Sequence, residues 1–159
     1  MKQITIKSLL FLLLFITVNC GFKTLDESQK SNFYIQDIKT SGNKRINFKI
    51  KNNLSIYSTK NNKNILVINL NTKKIKNIKE KNIKNEITKY QISLSANVKF
   101  NLINNNNVDY EINLSNAGDY LVNNKYSTTL NNEKTLINNL VEDMSEKIIR
   151  EIGLKLNDI

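Results

Sequence analysis

The chain has 159 residues with one Cys, no His, Trp or Pro, and 24 Lys and Arg against 14 Asp and Glu, a formal charge of +10. That length suits one domain. The missing His and lone Cys exclude a Cys/His zinc site, a Ser-His-Asp or Cys-His catalytic group, and a disulfide within the chain. Asn, Lys and Ile dominate, at 29, 22 and 22 residues. An AT-rich coding sequence drifts toward all three, so the basicity reads first as composition. Only Arg45 and Arg150 offer the planar fork that suits bidentate phosphate binding.

Lys2 and Lys7 precede an apolar run from Leu9 to Val18. Ten helical residues reach about 15 Å, half of a bilayer core of about 30 Å. The run is therefore the apolar region of a secretory signal rather than a membrane span. Cys20 follows at once, in Thr17-Val18-Asn19-Cys20-Gly21. A thiol placed there looks like the lipid acceptor of a bacterial lipoprotein. Diacylglycerol joins the sulfur, the peptide is cut before Cys20, and the new amino terminus is acylated. Several acyl chains give the stable anchoring that one chain does not, at about 0.8 kcal/mol per buried CH₂. Asn19 and Thr17 depart from the small residue and the Leu usual at those places. Gly21 is not the Asp associated with inner-membrane retention, which favours the outer membrane. The expected organisation is a removed signal over 1–19, an acylated Cys and tether over 20–31, and a folded domain over 32–159. Loss of Lys2 and Lys7 takes the formal charge to +8. Export excludes a nucleic-acid partner.

A first strand is expected over Asn32–Thr40, around Phe33, Tyr34, Ile35 and Ile38, followed by a turn at Ser41-Gly42-Asn43. Asn43 caps a short helix in which Ile46, Ile50 and Leu54 share one face, ending near Ser55. Phe48 and Ile56 also fit a strand pattern. A second strand starts at Ile65 and runs toward Lys79. Leu66, Ile68 and Leu70 share a face, Ile75 has the opposite parity and Ile78 returns, a change a bulge would reconcile. From Tyr90 to Leu102 apolar residues alternate with Gln91, Ser93, Ser95, Asn97, Lys99 and Asn101. Asn104–Asn107 form a loop, and alternation resumes from Val108 to Ser115, giving an antiparallel hairpin. A final helix, capped by Ser127, Thr128 or Thr129, carries Ile137, Leu140, Val141, Met144, Ile148, Ile149 and Ile152 at helical spacing, with Gly153 weakening it late. The order is β-α-β-β-β-α. An α+β two-layer sandwich follows, with two helices on one face of a four-stranded, mostly antiparallel sheet. Its other face is left polar, open to water or a partner.

The mature chain resembles the lipopolysaccharide-assembly lipoprotein family LptE, also called RlpB. The residues that carry the resemblance are Cys20-Gly21-Phe22, the element order, Thr88-Lys89-Tyr90 opening the long strand, Asp119-Tyr120, Tyr126-Ser127, and a last helix with Glu142, Ile148 and Ile152. The resemblance implies a lipoprotein anchored on the periplasmic side of the outer membrane. It implies a plug inside the LptD β-barrel that is needed for the barrel's assembly, lipopolysaccharide as a bound partner, no catalysis and no cofactor. The polar row of the long strand could then face a polar barrel lumen, although any one-sided sheet shows water the same row.

Lys73, Lys74, Lys76, Lys79, Lys81 and Lys84 crowd a twelve-residue stretch with Glu80 as its one acid before Glu86. They are candidate contacts for lipopolysaccharide phosphates, since clustered Lys attracts anionic head groups by about 1 kcal/mol each. A solvated tract near a hairpin tip gives the same pattern. Asp109 and Glu111 on a strand, and Glu142, Asp143 and Glu146 on a helix, are spaced as exposed polar stripes, with no phosphate loop or metal-ligand cluster beside them. An enzyme is not expected. The alternative is a periplasmic lipoprotein that holds a soluble ligand or the cell wall in a pocket between sheet and helices.

Overall fold

A computed structural model describes residues 32–58, 60, 62–103 and 108–157. The leader, Cys20, the tether and the Asn104–Asn107 loop lie outside the described residues. The elements are β1 (Tyr34–Gly42), α1 (Lys44–Tyr57), β2 (Ile65–Lys81), β3 (Ile87–Leu102), β4 (Asp109–Leu121) and α2 (Tyr126–Asn157). The sheet order is β1-β2-β3-β4. β1 runs parallel to β2, with α1 as the crossover, and the other pairs are antiparallel. This is the expected α+β order and layering.

Alternation explains the sheet. Leu66, Ile68 and Leu70 of β2 stand opposite Leu102, Phe100 and Val98 of β3. Phe100 and Val98 in turn stand opposite Tyr110 and Ile112 of β4. All six β2 and β3 residues lie on the helix-covered face, and all but half-buried Leu102 are fully buried. Ile46, Ile50 and Leu54 of α1 and Leu140, Val141, Met144, Ile148 and Ile152 of α2 complete the same core. Each fully buried side chain of this size contributes about 1.5–3 kcal/mol of transfer free energy. Phe100 and Tyr110 stack at 5.0 Å.

The α1 cap is as expected: Asn43 Oδ1 accepts from the Ile46 amide at 3.1 Å. The helix runs on to Tyr57, and Phe48 and Ile56 sit on its outer side, about two-thirds exposed. β1 is shifted toward Gly42, so Ser41 and Gly42 pair with Asn71 and Thr72 rather than forming a turn of their own. The chain turns at Gly42 alone, where φ is +85° and an added Cβ would lie 2.1 Å from the Thr72 carbonyl oxygen. Only glycine tolerates that approach.

No bulge separates Leu70 from Ile75. The β2–β3 register is unbroken to Ile78 and shifts only between Ile78 and Lys81. Ile75 instead points to the open face, and Ile78 lies on the helix side beyond the cover, both more than one-third exposed. β4 continues past Ser115 to Leu121 because Gly118 lets α2 come close: a Cβ there would meet Leu136 Cδ1 at 2.6 Å. α2 starts at Tyr126, ahead of the expected caps. Thr129 Oγ1 instead reaches back to accept from the Asn123 amide at 2.8 Å. Gly153 does not end the helix and has no neighbour within 4 Å of its Cβ direction.

Candidate functional site

The open sheet face is built by register. Ser41, Asn71, Asn97 and Asn113 line up across all four strands, and Lys39, Asn69, Lys99 and Glu111 form the next row. Lys73, Ser95 and Ser115 form a third row on β2–β4. The expected polar row, Gln91 to Asn101, therefore faces away from the helices. Asn97 Nδ2 donates to Asn113 Oδ1 at 2.8 Å and also to Glu111, while Lys99 pairs with Glu111 at 3.6 Å. The Asn97 hydrogen bond, and then Lys99, hold the Glu111 carboxyl below its ordinary pKa. Two shallow depressions, of about 430 and 290 Å³, lie among these rows. The surface offers amide, hydroxyl and charged groups in parallel lines.

The six candidate lysines are not brought together. Strand alternation sends Lys73 to the open face and Lys74 and Lys76 to the helix side. The bulge after Ile78 then brings Lys79 and Glu80 to the open face, where Lys79 pairs with Asp119 and Glu80 pairs with Lys89 at 2.8 Å. The Lys79 hydrogen bond lowers the Asp119 pKa, and the Glu80 hydrogen bond raises that of Lys89. Lys81 and Lys84 lie at the β2–β3 tip. That turn is held by Asn82 Oδ1, which accepts from the Lys84 and Glu86 amides at 2.9 Å each, and by Asn85 at φ +63°. Lys81 donates to Asn85 Oδ1 at 2.9 Å, and Ile83 between the two lysines is fully exposed.

Sequence reasoning missed the partners of Lys76. Its ammonium binds Glu133 Oε2 at 2.7 Å and lies 4.3 Å from the centre of the Tyr90 ring. Tyr90 stacks on Tyr120 at 5.6 Å, and the Tyr120 hydroxyl donates to the same Glu133 oxygen at 2.8 Å. Burial works against the charge on Lys76, yet hydrogen bonds to Glu133 and Tyr120 outweigh it and raise its pKa. For Glu133, burial pushes up but the bonds from Lys76 and Tyr120 prevail, so its pKa falls. Burial is the first cause of the raised Tyr120 pKa. A second link missed from sequence is Asn116 Nδ2, which donates to the Leu140 carbonyl at 2.8 Å and to Asp143 at 2.9 Å. The pairs are 57, 13 and 27 residues apart, and no local pattern marks them.

The space between sheet and helices is filled by the core. A cleft of about 410 Å³ lies instead between α1 and α2, lined by residues including Lys49, Asn53, Tyr57 and Glu142. Among the described residues no three His, Cys, Asp or Glu side chains are placed to hold a metal, and no helix is long and apolar enough to cross a membrane. The sets Asp109/Glu111 and Glu142/Asp143/Glu146 stay on separate elements, β4 and α2.

The family model described as "LptE: Lipopolysaccharide-assembly" matches residues 32–152. No curated protein matches the chain in sequence. Among solved structures, rare lipoprotein B from Shewanella oneidensis superposes with a TM-score of 0.59 at 10% identity, covering 77% of this chain and 97% of that one. A lipoprotein B from Nitrosomonas europaea gives 0.60 at 14% identity, covering 86% and 93%. A minor lipoprotein from Acinetobacter baumannii gives 0.56 at 15% identity, covering 77% and 91%. At these identities the structures share the fold.

Proposed function

This chain belongs to the LptE lipopolysaccharide-assembly family, and from that premise we propose that it is an outer-membrane lipoprotein seated inside an LptD-type β-barrel, whose assembly it assists. Its role lies in lipopolysaccharide assembly and is not catalytic. The observation that carries the proposal is the division of the sheet. One face is sealed by two helices, and the other presents Ser, Asn, Gln and Lys in register. The lumen of a large outer-membrane barrel is polar. A domain that stays there keeps its apolar residues inside itself and meets the wall with hydrogen-bonding groups. Acylated Cys20 anchors the chain on the periplasmic side, and residues 20–31 span the distance from the anchor to the domain at 32–159.

Lipopolysaccharide contact is assigned to the hairpin tip. Lys81 and Lys84 flank the exposed Ile83 there, so two cations and an apolar side chain meet a phosphorylated, acylated head group together. Lys76 and Lys79 are held inward by Glu133 and Asp119, and Lys73 and Lys74 lie far down the strand from the tip. The test is binding of purified lipopolysaccharide to the full chain in detergent. Lys81→Glu/Lys84→Glu should lose about 2 kcal/mol, roughly 30-fold in affinity. Lys134→Glu/Lys155→Glu, the same charge change elsewhere on the surface, should lose far less. Equal losses would show general charge attraction and no site.

A further inference from the structure

We propose that the outer edge of β2 from Lys73 to Ile78 receives an extended polypeptide segment bearing acidic side chains, added to the sheet as a further strand. β1 accompanies β2 only from Ile65 to Thr72. At Gly42 the chain leaves the sheet, and the Asn43 amide donates to the Thr72 carbonyl at 2.9 Å as α1 begins. From Lys73 onward no strand pairs with this edge of β2 among the described residues. β2 itself continues in unbroken register with β3 as far as Ile78, where the bulge ends the straight edge. In an antiparallel pair, alternate residues turn both N–H and C=O away from the partner strand. Six residues of such an edge present a short, regular template of donors and acceptors.

Edges of this kind are commonly guarded by lysine, and here the guard is selective. Lys76 is drawn across Tyr90 to Glu133, and Lys79 across the sheet to Asp119. Both ammonium groups are thus engaged toward the sheet and α2. Lys73, on the open face, and Lys74, on the helix side, are in no ion pair within 4.0 Å among the described residues, although the Lys74 charge acts on Glu133 at longer range. Two copies joined edge to edge would set these lysines against their own kind. The β4 edge of a second copy offers Asp109, Glu111 and Asp119, of which Glu111 and Asp119 are already paired, with Lys99 and Lys79, and Asp109 stands alone at the first position of the strand. The charge therefore selects a foreign strand with two adjacent acids, one turned to the face of Lys73 and one to the face of Lys74, bound in the strand-addition mode in which main-chain hydrogen bonds give affinity and side chains give choice.

This inference stands on the geometry of β2 and goes beyond the lipopolysaccharide role. The experiment uses the full chain in nonionic detergent, free of lipopolysaccharide. The probe is a fluorescein-labelled octapeptide, Val-Thr-Val-Glu-Glu-Val-Thr-Val, blocked at both ends. Anisotropy should show saturable binding, and hydrogen exchange should show alternate amides protected between Lys73 and Ile78. The same peptide with alternate amides N-methylated keeps its charge and should bind at least tenfold more weakly. Lys73→Glu/Lys74→Glu should weaken the parent peptide by roughly tenfold. Equal binding of the N-methylated peptide, protection elsewhere, absence of binding, or self-assembly of the chain through this edge would each overturn the proposal. Because no lipid enters the readout, its failure leaves the assembly role untouched, and failure of the assembly role leaves this result standing.

Discussion

Replacing Thr72 by Val should cost more than its small change in shape suggests. Thr72 Oγ1 donates to Asn47 Oδ1 at 2.6 Å, and Asn47 Nδ2 donates to the Ser41 carbonyl at 2.7 Å. Thr72 and Asn47 are each only 3% exposed. The pair joins β2, α1 and the end of β1 at the point where β1 leaves the sheet. Val keeps the volume but strands Asn47 Oδ1 in the core, a penalty of about 1–3 kcal/mol. With 120 described residues, the unfolding entropy is on the order of 0.25 kcal/mol/K, so Tm should fall by about 4–12 °C. Asn47→Ala removes both hydrogen bonds and leaves a hole, and should cost more. Thermal unfolding followed by circular dichroism measures both variants. A Thr72→Val Tm within about 1 °C of the parent would refute the claim that this buried bond pins the crossover.

Gly42→Ala should destabilise by about 1–3 kcal/mol from backbone strain alone, and further because the added Cβ collides with the Thr72 carbonyl; chemical denaturation measures it. Phe100→Ala should cost about 3–5 kcal/mol, as its ring is 1% exposed and packed on Tyr110, read from the same unfolding curves. Glu133 and Asp143 have lowered carboxyl pKa values in the fold, set against ordinary values of 4.5 and 3.8. Their contribution is thus complete above those ordinary values and is lost as pH falls through the lower folded ones. Tm scans from pH 7 to pH 2 should show a loss below about pH 4.5 that Glu133→Gln/Asp143→Asn makes shallower.

The parts of the fold legible in the sequence are those with one face buried along their whole length. From Ile92 to Phe100 every second residue is buried, so alternation announced β3. The Ile46, Ile50 and Leu54 stripe announced α1 for the same reason. The phase of β2 was not legible beyond Thr72 because neither of its faces is buried there, and Ile75 and Ile78 obey no packing constraint. The far end of β4 was missed because Asn116, Ala117 and Gly118 carry little apolar signal. They are placed by Asn116 bonding across to α2 and by the close approach of Leu136. At the candidate site, the polar row followed directly from strand parity. The spatial arrangement of the lysine tract was not legible because its members are neighbours in sequence, while pleating sends them to opposite faces and distant carboxylates draw two of them inward.

The central claim is that the polar sheet face meets the wall of a large β-barrel. A photoreactive residue in place of the exposed Ser95 tests it in the intact envelope. The account predicts an adduct with a large, heat-modifiable outer-membrane barrel that also co-purifies with the chain in mild detergent. Extraction of the chain as a free monomer, with no barrel adduct from Ser95, would contradict it.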